Sequence, residues 1–477
     1  MILSWPTIIL EISSLGIGLL LLILGLVFTS LKSKATLGYF SIIALLLMLV
    51  GSFYLPSGAT QTFINNFYVQ DSLALFFKQL FIVSALLVNT MALRYMKPHT
   101  NNRGDFFALT FFALTGMMMM ASAAEFITLY IGLELMTFTF VLLTAYKKHD
   151  LKSGEAGLKY ILLSAVSSGV LLYGFSLLYG LTGALDFSSL VALFAPTSSP
   201  LLVWAIVMVL AGLGFKIALV PFHMWTPDVY EGAPTPITAF LAVGSKAAGF
   251  VAFIRVFFQV FAVYSPIFMP LLIALTVLTL LIGNLIALAQ THLKRLLAYS
   301  SIAHAGYILL GVIAYSKLGL SAILFYLLLY MFANIGAFAA VAALVINTGQ
   351  DKISDLAGLW KSSPFTSVVL LVSLLSLAGI PPTAGFIGKF YLFTELVSRG
   401  YLWLAFVAVG MSLVAIYYYL VVIRTFLSGS VAEKTSMTIP FSLKLVMLVS
   451  VVMTIGIGVF PGPFTDYLLK VAQAFLG

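Results

Sequence analysis

Apolar residues run through this chain in long blocks, each closed by a short polar or Gly/Pro-containing break. The blocks fall at about 7 to 29, 36 to 56, 71 to 95, 105 to 121, 125 to 146, 157 to 181, 200 to 221, 236 to 261, 266 to 290, 294 to 316, 321 to 346, 364 to 398, 402 to 427 and 441 to 462. A helix needs roughly 20 apolar residues to cross the hydrocarbon core of a bilayer, and each block is of that order. The pattern therefore predicts about fourteen spans. No Lys or Arg precedes Lys32 and the first block is longer than a signal-peptide core, so the first span is expected to be retained.

Composition agrees. Of 477 residues 62% are apolar and only 8% are charged, which excludes a soluble globule and leaves little chain for a separate aqueous domain. The net charge of +9 does not point to nucleic acid, because the basic residues are scattered through short loops between the blocks. With no cysteine, iron–sulfur ligation, zinc–thiolate sites and disulfides are excluded in this chain. The methionines, Met117 to Met120 included, read as lipid-compatible packing.

Loop charge sets orientation. Loops after odd-numbered spans hold Lys32, Lys34, Arg94, Lys97, Arg103, Lys147, Lys148, Lys152, Lys294, Arg295, Lys352, Lys361, Arg424, Lys434 and Lys444, whereas the other face holds only Lys317, Arg399 and Lys470. Basic residues concentrate on the cytoplasmic side, so both termini are expected on the opposite side. Six basic residues, Lys78, Lys159, Lys216, Lys246, Arg255 and Lys389, remain inside the spans.

Two spans share an oddity. Span 7 reads AGLGFKIALVPFHMW, with Gly212, Gly214 and Pro221 around Lys216; span 12 reads LAGIPPTAGFIGKFYLF, with Gly379, Pro381, Pro382, Gly385 and Gly388 before Lys389. Proline breaks a helix, and a break at membrane depth survives only where protein or a water-filled cavity receives the freed carbonyls. Spans 7 and 12 are an odd number apart, so a unit of spans 4 to 8 repeated as spans 9 to 13 has inverted orientation. Corresponding interrupted helices in inverted halves point to an ion path near the midplane. The expected organisation is a three-span segment over 1–104, a five-helix repeat over 105–261, an inverted repeat over 262–427 and a last span within 428–477.

Glu134 lies mid-span in YIGLELMTFTF, where a carboxylate needs a partner or a purpose: proton relay on one reading, a structural ion pair on the other. Whether a buried lysine keeps its proton depends on nearby charge, so moving Glu134 relative to Lys216 would switch that lysine. Lys246 sits among small residues in AVGSKAAGF, which leave room for water; its bland reading is a snorkelling lysine. His304 is the one histidine well inside a span and suits a relay, or a hydrogen-bonded core position. His99, His149, His223 and His292 fall in loops, so paired intramembrane haem ligands are not offered. Lys78, Lys159 and Arg255 lie nearer span ends and read as snorkelling or helix-pairing groups. No Gly-rich phosphate cradle accompanies a strand–turn–helix pattern, so the chain by itself cannot oxidise a nicotinamide or hydrolyse ATP.

On these residues the sequence resembles the antiporter-like membrane subunits of respiratory complex I, the proton-translocating NADH-quinone oxidoreductase, and among them the subunit N family. The resemblance covers essentially the whole chain. It is most specific at FKIALVPFHMWTPDVYEGAPTPITAFL (215–241), LKRLLAYSSIAHAGY (293–307) and GIPPTAGFIGKFYLF (379–393). It implies an all-α polytopic membrane protein of about fourteen helices with two inverted five-helix repeats. It also implies a polar axis formed by the positions matching Glu134, Lys216, Lys246, His304 and Lys389. Glu134 and Lys216 would be the pair that responds to a neighbouring subunit, Lys246 and His304 the connection, and Lys389 the terminal proton donor.

The implied partners are the other membrane subunits of complex I, neighbouring antiporter-like subunits among them, and the lipid bilayer, with no nucleic acid. The implied location is a bacterial-type inner membrane. Redox chemistry would reside in other subunits, with no cofactor and no metal in this chain. The alternatives are a subunit of a multisubunit cation/proton antiporter and a scaffold subunit that conducts nothing.

The loop-charge argument predicts that, in this cysteine-free chain, Asp150→Cys is labelled by an impermeant thiol reagent only from the cytoplasm and Ser189→Cys only from outside. The reverse pattern would overturn the orientation.

Overall fold

Length and apolar content decide most of the elements in the computed structural model, which describes residues 7–28, 31–56, 61–63, 67–96, 103–193, 199–428 and 437–477. Lys97, His99 and Lys434 fall outside these ranges. The first part of the chain forms α1 (Ile9–Val27), α2 (Leu31–Ser52), α3 (Ser72–Tyr95), α4 (Arg103–Ser122), α5 (Phe126–Thr144), α6 (Leu151–Thr182) and α7 (Phe187–Leu193). There follow α8 (Pro200–Lys216), α9 (Trp225–Gly232), α10 (Thr235–Phe240) and α11 (Lys246–Arg255). Then come α12 (Ser265–Ala287), α13 (Leu293–Ala314), α14 (Lys317–Thr348) and α15 (Leu359–Ser362). The chain finishes with α16 (Pro364–Ala378), α17 (Ala384–Ser398), α18 (Leu402–Leu427), α19 (Phe441–Val459) and α20 (Gly462–Leu476). Among the described residues the only sheet is a hairpin of β1 (Gln61–Phe63) and β2 (Tyr68–Gln70), with Thr62 opposite Val69.

Eleven of the described helices are long and apolar enough to cross a bilayer, and three shorter apolar ones run over Thr36–Ser52, Pro200–Lys216 and Pro364–Ala378. The last two are short for the reason read from the sequence: α8 stops at Lys216 and resumes as α9, and α16 stops at Gly379 and resumes as α17. Gly379 takes φ +83°, a left-handed conformation that closes α16 at little cost to glycine.

The fold is layered by burial. The run Thr235–Val260 is buried throughout and α13 and α14 nearly so, whereas α1, α6, α12, α18 and α19 bury only part of their surface. Their outward faces carry Leu19, Val166, Leu278, Phe406 and Val452, an apolar coat suited to lipid tails. Tight packing joins α4 to α5 at Gly116 and Gly132, where a Cβ on Gly116 would meet the Gly132 carbonyl at 2.6 Å. Small residues of this kind let helices approach where no hydrophobic force separates lipid from protein.

Several features were not legible beforehand. One π-helical turn, Leu241–Ser245, precedes Lys246 and another, Val256–Val260, follows Arg255, so the expected span 236–261 is an α-helix interrupted twice. The hairpin, α7 and α20 occupy stretches expected to be loop or tail. Arg255 and Lys78 pair helices, as expected of one of their two readings: Arg255 binds Asp71, and Lys78 binds Glu11. α6 begins six residues before its block, so Lys159 lies in its third turn, half-exposed and paired with Glu155 and Asp228. Lys294 is more than a loop charge. Its buried ammonium donates to the Glu231 and Ala233 carbonyls at 2.6 and 2.9 Å and closes the C-terminus of α9.

Overpacking the α4–α5 contact tests this arrangement. Gly116→Val should destabilise the folded protein by about 1–3 kcal/mol in detergent thermal unfolding. Gly169→Val, where an added Cβ meets nothing within 4 Å, should leave the transition in place.

Candidate functional site

A polar axis through the buried layer

Lys216 ends α8, and its ammonium reaches Thr137 on α5 at 2.7 Å. The break that follows is satisfied internally. The Leu219 amide donates to the Gly214 carbonyl at 2.8 Å, the Val220 amide to Thr279 Oγ1 at 3.0 Å, and the Trp225 indole to the Phe215 carbonyl at 3.0 Å. Without such partners a broken helix has no place in hydrocarbon. Trp225 also stacks on Tyr160 at 4.9 Å, which fixes the start of α9 beside α6.

Glu134 lies on α5, half-buried, and accepts a hydrogen bond from the Ser168 hydroxyl on α6. The expected pairing of Glu134 with Lys216 is not formed. Three residues separate Glu134 from Thr137, so both look across one side of α5, but each side chain takes a hydroxyl as its partner.

Lys246, in the first turn of α11, donates to the carbonyl and to the hydroxyl of Ser301 on α13, both at 2.5 Å. Tyr330 of α14 donates to the same hydroxyl at 2.8 Å, and its ring lies 5.1 Å from that of His304. His304 Nδ1 meets the Tyr326 hydroxyl at 2.8 Å, and Nε2 lies 3.4 Å from that of Tyr419. Tyr419 continues to Ser300. The structure thus brings Lys246 and His304 into one cluster, Ser301 and Tyr330 standing between them.

Lys389, in the second turn of α17, donates to the Ala378 carbonyl and to Ser412 Oγ, each at 2.8 Å. The first of these occupies a carbonyl freed by the break after α16. Its ammonium also stands 4.8 Å over the ring of Tyr307, which neighbours His304 at 5.8 Å. Glu395, six residues on, does not meet Lys389: it pairs with Arg399 at 3.2 Å and accepts from Ser316 at 2.5 Å.

Lys216, Lys246, His304 and Lys389 are all at most 4% exposed, and none of the three lysines forms an ion pair with a carboxylate among the described residues. Their protons are held by hydroxyls and carbonyls, partners that accept a proton's hydrogen bond without fixing its charge. His223 lies in the turn between α8 and α9, as its loop position implied, but is buried there, 6% exposed.

Sequence reasoning missed the hydroxyl partners. Tyr326 and Tyr330 stand four apart on α14 and Ser300 and Ser301 lie one turn before His304, a helical spacing of polar groups in an apolar span. That spacing was the available signal. No spacing joins Ser412 or Ser168 to the lysine or glutamate it serves.

Kinship

The geometry is that of an interrupted-helix ion translocator. Residues 123–415 match the model of the NADH:quinone oxidoreductase/Mrp antiporter membrane family. NADH-quinone oxidoreductase subunit N of Moorella thermoacetica is 44% identical over 467 residues, covering 98% of both chains. A chain of respiratory complex I from Thermus thermophilus superposes with a TM-score of 0.82 at 32% identity, covering 96% of this chain and 99% of that one. A chain of the Mrp complex from Dietzia sp. DQ12-45-1b reaches a TM-score of 0.86 at 22% identity, covering 99% of each, and shares the fold. The chain belongs to the antiporter-like membrane subunits of this family, in its NADH-quinone oxidoreductase subunit N branch.

Thr137 supplies the hydroxyl bound by a charged group out of water, and loss of such a bond costs about 1.5–3 kcal/mol. Thr137→Val should lower the coupled activity of the assembled complex about tenfold or more, and Thr137→Ser should restore most of it. Equal activity in both variants would show that the bond does not hold Lys216 in its working position.

Proposed function

We propose that this chain is a proton-translocating membrane subunit of an NADH-quinone oxidoreductase, moving protons from cytoplasm to the outer face under drive from redox chemistry in other subunits. The observation that carries the proposal is the row of buried lysines without carboxylate partners, joined through Ser301, tyrosines and His304 and placed at two helix breaks. A structural ion pair gains nothing from this arrangement. A group that must both hold and give up a proton does, because no carboxylate that stays ionised pins its charge.

In this reading the chain crosses a bacterial-type inner membrane fourteen times. The eleven long helices, the two interrupted spans and α2 would supply the crossings, with both termini outside. Residues 105–261 and 262–427 are inverted five-helix repeats, each contributing one interrupted helix. Half-buried Glu134 sits where a neighbouring membrane subunit of complex I can reach it, and its charge is felt at Lys216 through α5. Lys246 and His304 carry the proton between repeats, and Lys389 delivers it outward. The electron-transfer groups lie in partner subunits, and this chain acts as part of the enzyme.

The second reading is a subunit of a cation/proton antiporter, favoured by the reach of the family model to Mrp antiporters and by the shared fold. Sodium-dependent exchange in vesicles without any electron donor would select it.

Two substitutions test the proton role at Lys389. Arginine keeps the charge at any accessible pH, so a fixed cation survives Lys389→Arg and a titrating one does not. In inverted membrane vesicles, NADH-driven proton pumping by an assembled Lys389→Arg complex should fall nearly as far as in Lys389→Ala. Normal pumping in Lys389→Arg removes Lys389 from the path. Glu134→Gln and Lys216→Ala should each lower pumping and combine non-additively, whereas additive losses would deny their coupling through α5.

A further inference from the structure

The axis leaves unused two ion pairs at the end of the molecule where α1 begins. Lys78, in the second turn of α3, is wholly buried; its ammonium meets Glu11 of α1 at 2.7 Å, Gln70 Oε1 at 2.5 Å and the Thr7 carbonyl at 3.4 Å. Directly after Gln70, Asp71 caps α3 and receives both terminal nitrogens of Arg255 at 2.8 and 3.0 Å. Arg255 also donates to the Ala121 carbonyl at 2.6 Å. The Tyr68 hydroxyl faces Glu11 and Ser122. Glu11, Lys78, Asp71 and Arg255 therefore form two ion pairs set side by side, with charges that balance.

The Asp71–Arg255 pair is not closed off. A cavity of about 560 Å³ opens at the same end, walled by Asp71, Arg255, Gln259, Ser188, Thr62 and Phe475. Next to Asp71 in sequence, the amide nitrogen of Gln70, whose oxygen holds Lys78, is out of solvent and has no partner in hydrogen-bond geometry. A pair that only clamped helices would not leave that group idle, since an idle buried polar group is costly. Water entering from the cavity would satisfy it.

We propose that Glu11 and Lys78 form a second proton-carrying site, in exchange with the outer compartment through this cavity. The inference rests on the proton-pump reading of the axis. Lys246 and Arg255 lie on one helix nine residues apart, about 13 Å of rise, so the site stands outward of Lys246 and gives the first repeat an outlet of its own. The chemistry is a balanced transfer. A neutral Lys78 amine takes the proton arriving from within; the ammonium passes it across the 2.7 Å contact to the Glu11 carboxylate; the carboxyl releases it to water in the cavity. Arg255 holds Asp71 and sets the field at the mouth.

The test uses the assembled complex in inverted membrane vesicles, reading protons pumped per NADH oxidised, with complex content measured on native gels. Lys78→Arg keeps the ion pair but cannot donate, and a lost proton carrier slows the step it serves by about tenfold or more. Pumping should fall in Lys78→Arg and in Glu11→Gln while the complex content stays normal. Wild-type pumping in Lys78→Arg would overturn the proposal and leave a structural pair. If Lys78→Arg does not assemble, the doubly neutral Glu11→Gln/Lys78→Met decides in the same way, since removing both charges together avoids stranding either. Gln259→Cys should react with an impermeant thiol reagent from the outer side only, and failure to react would remove the port. Lys389→Ala separates the two levels. If it loses pumping while Lys78→Arg does not, the outlet falls and the pump reading stands; if both pump normally, the pump reading falls.

Discussion

In a bilayer there is no water to take up a stray carbonyl or a bare charge, and every other feature of this chain answers to that constraint. A helix broken at Lys216 has to find donors for its freed carbonyls and acceptors for its freed amides inside the protein. It finds them in Gly214, Thr279 and the Trp225 indole. The break after α16 is met partly by a lysine, Lys389, whose ammonium occupies the Ala378 carbonyl. Interruption and buried charge are thus one device. The broken helix makes the polar pocket, and the pocket makes the lysine tolerable.

The same constraint explains the choice of partners. Burying a guanidinium against a carboxylate gives a stable and fixed pair, which Arg255 with Asp71 illustrates at the edge of the fold. Along the axis the partners are Thr137, Ser301, Ser412 and backbone oxygens. Such groups satisfy the hydrogen bonds of a charged lysine and can turn toward a neutral one. Tyr326 and Tyr419 bond His304, and Tyr330 bonds Ser301, so hydroxyls surround the buried groups of this layer. The partly exposed cluster of Lys152, Lys159, Asp228, Glu231 and Arg295 ties α9 to α6 and α13, holding the second half of the broken helix beside the break.

Much of this was legible in the sequence because membrane depth makes polar residues conspicuous. Lys216, Lys246 and Lys389 stand out as charges in apolar blocks, and the Gly/Pro clusters beside two of them announce the breaks. The π-helical turns flanking α11 were invisible, since Leu241–Ser245 and Val256–Val260 have the composition of ordinary helix; tertiary packing of a wholly buried run decides them. The Glu134 and Lys216 pairing was inferred from opposite charges on neighbouring spans, but α5 presents Thr137 to the lysine and leaves Glu134 to Ser168. Charge identifies which residues matter; only packing decides whom each one meets.

The central claim is that one continuous proton path runs through the buried layer, and Lys246 is its midpoint, held by Ser301 between the two interrupted helices. Proton pumping per NADH in vesicles carrying an assembled Lys246→Met complex measures that continuity directly. Methionine keeps the volume of the stem and removes the proton site, so the account predicts normal complex content with pumping reduced about tenfold or more. Pumping at the wild-type ratio in that variant would contradict it.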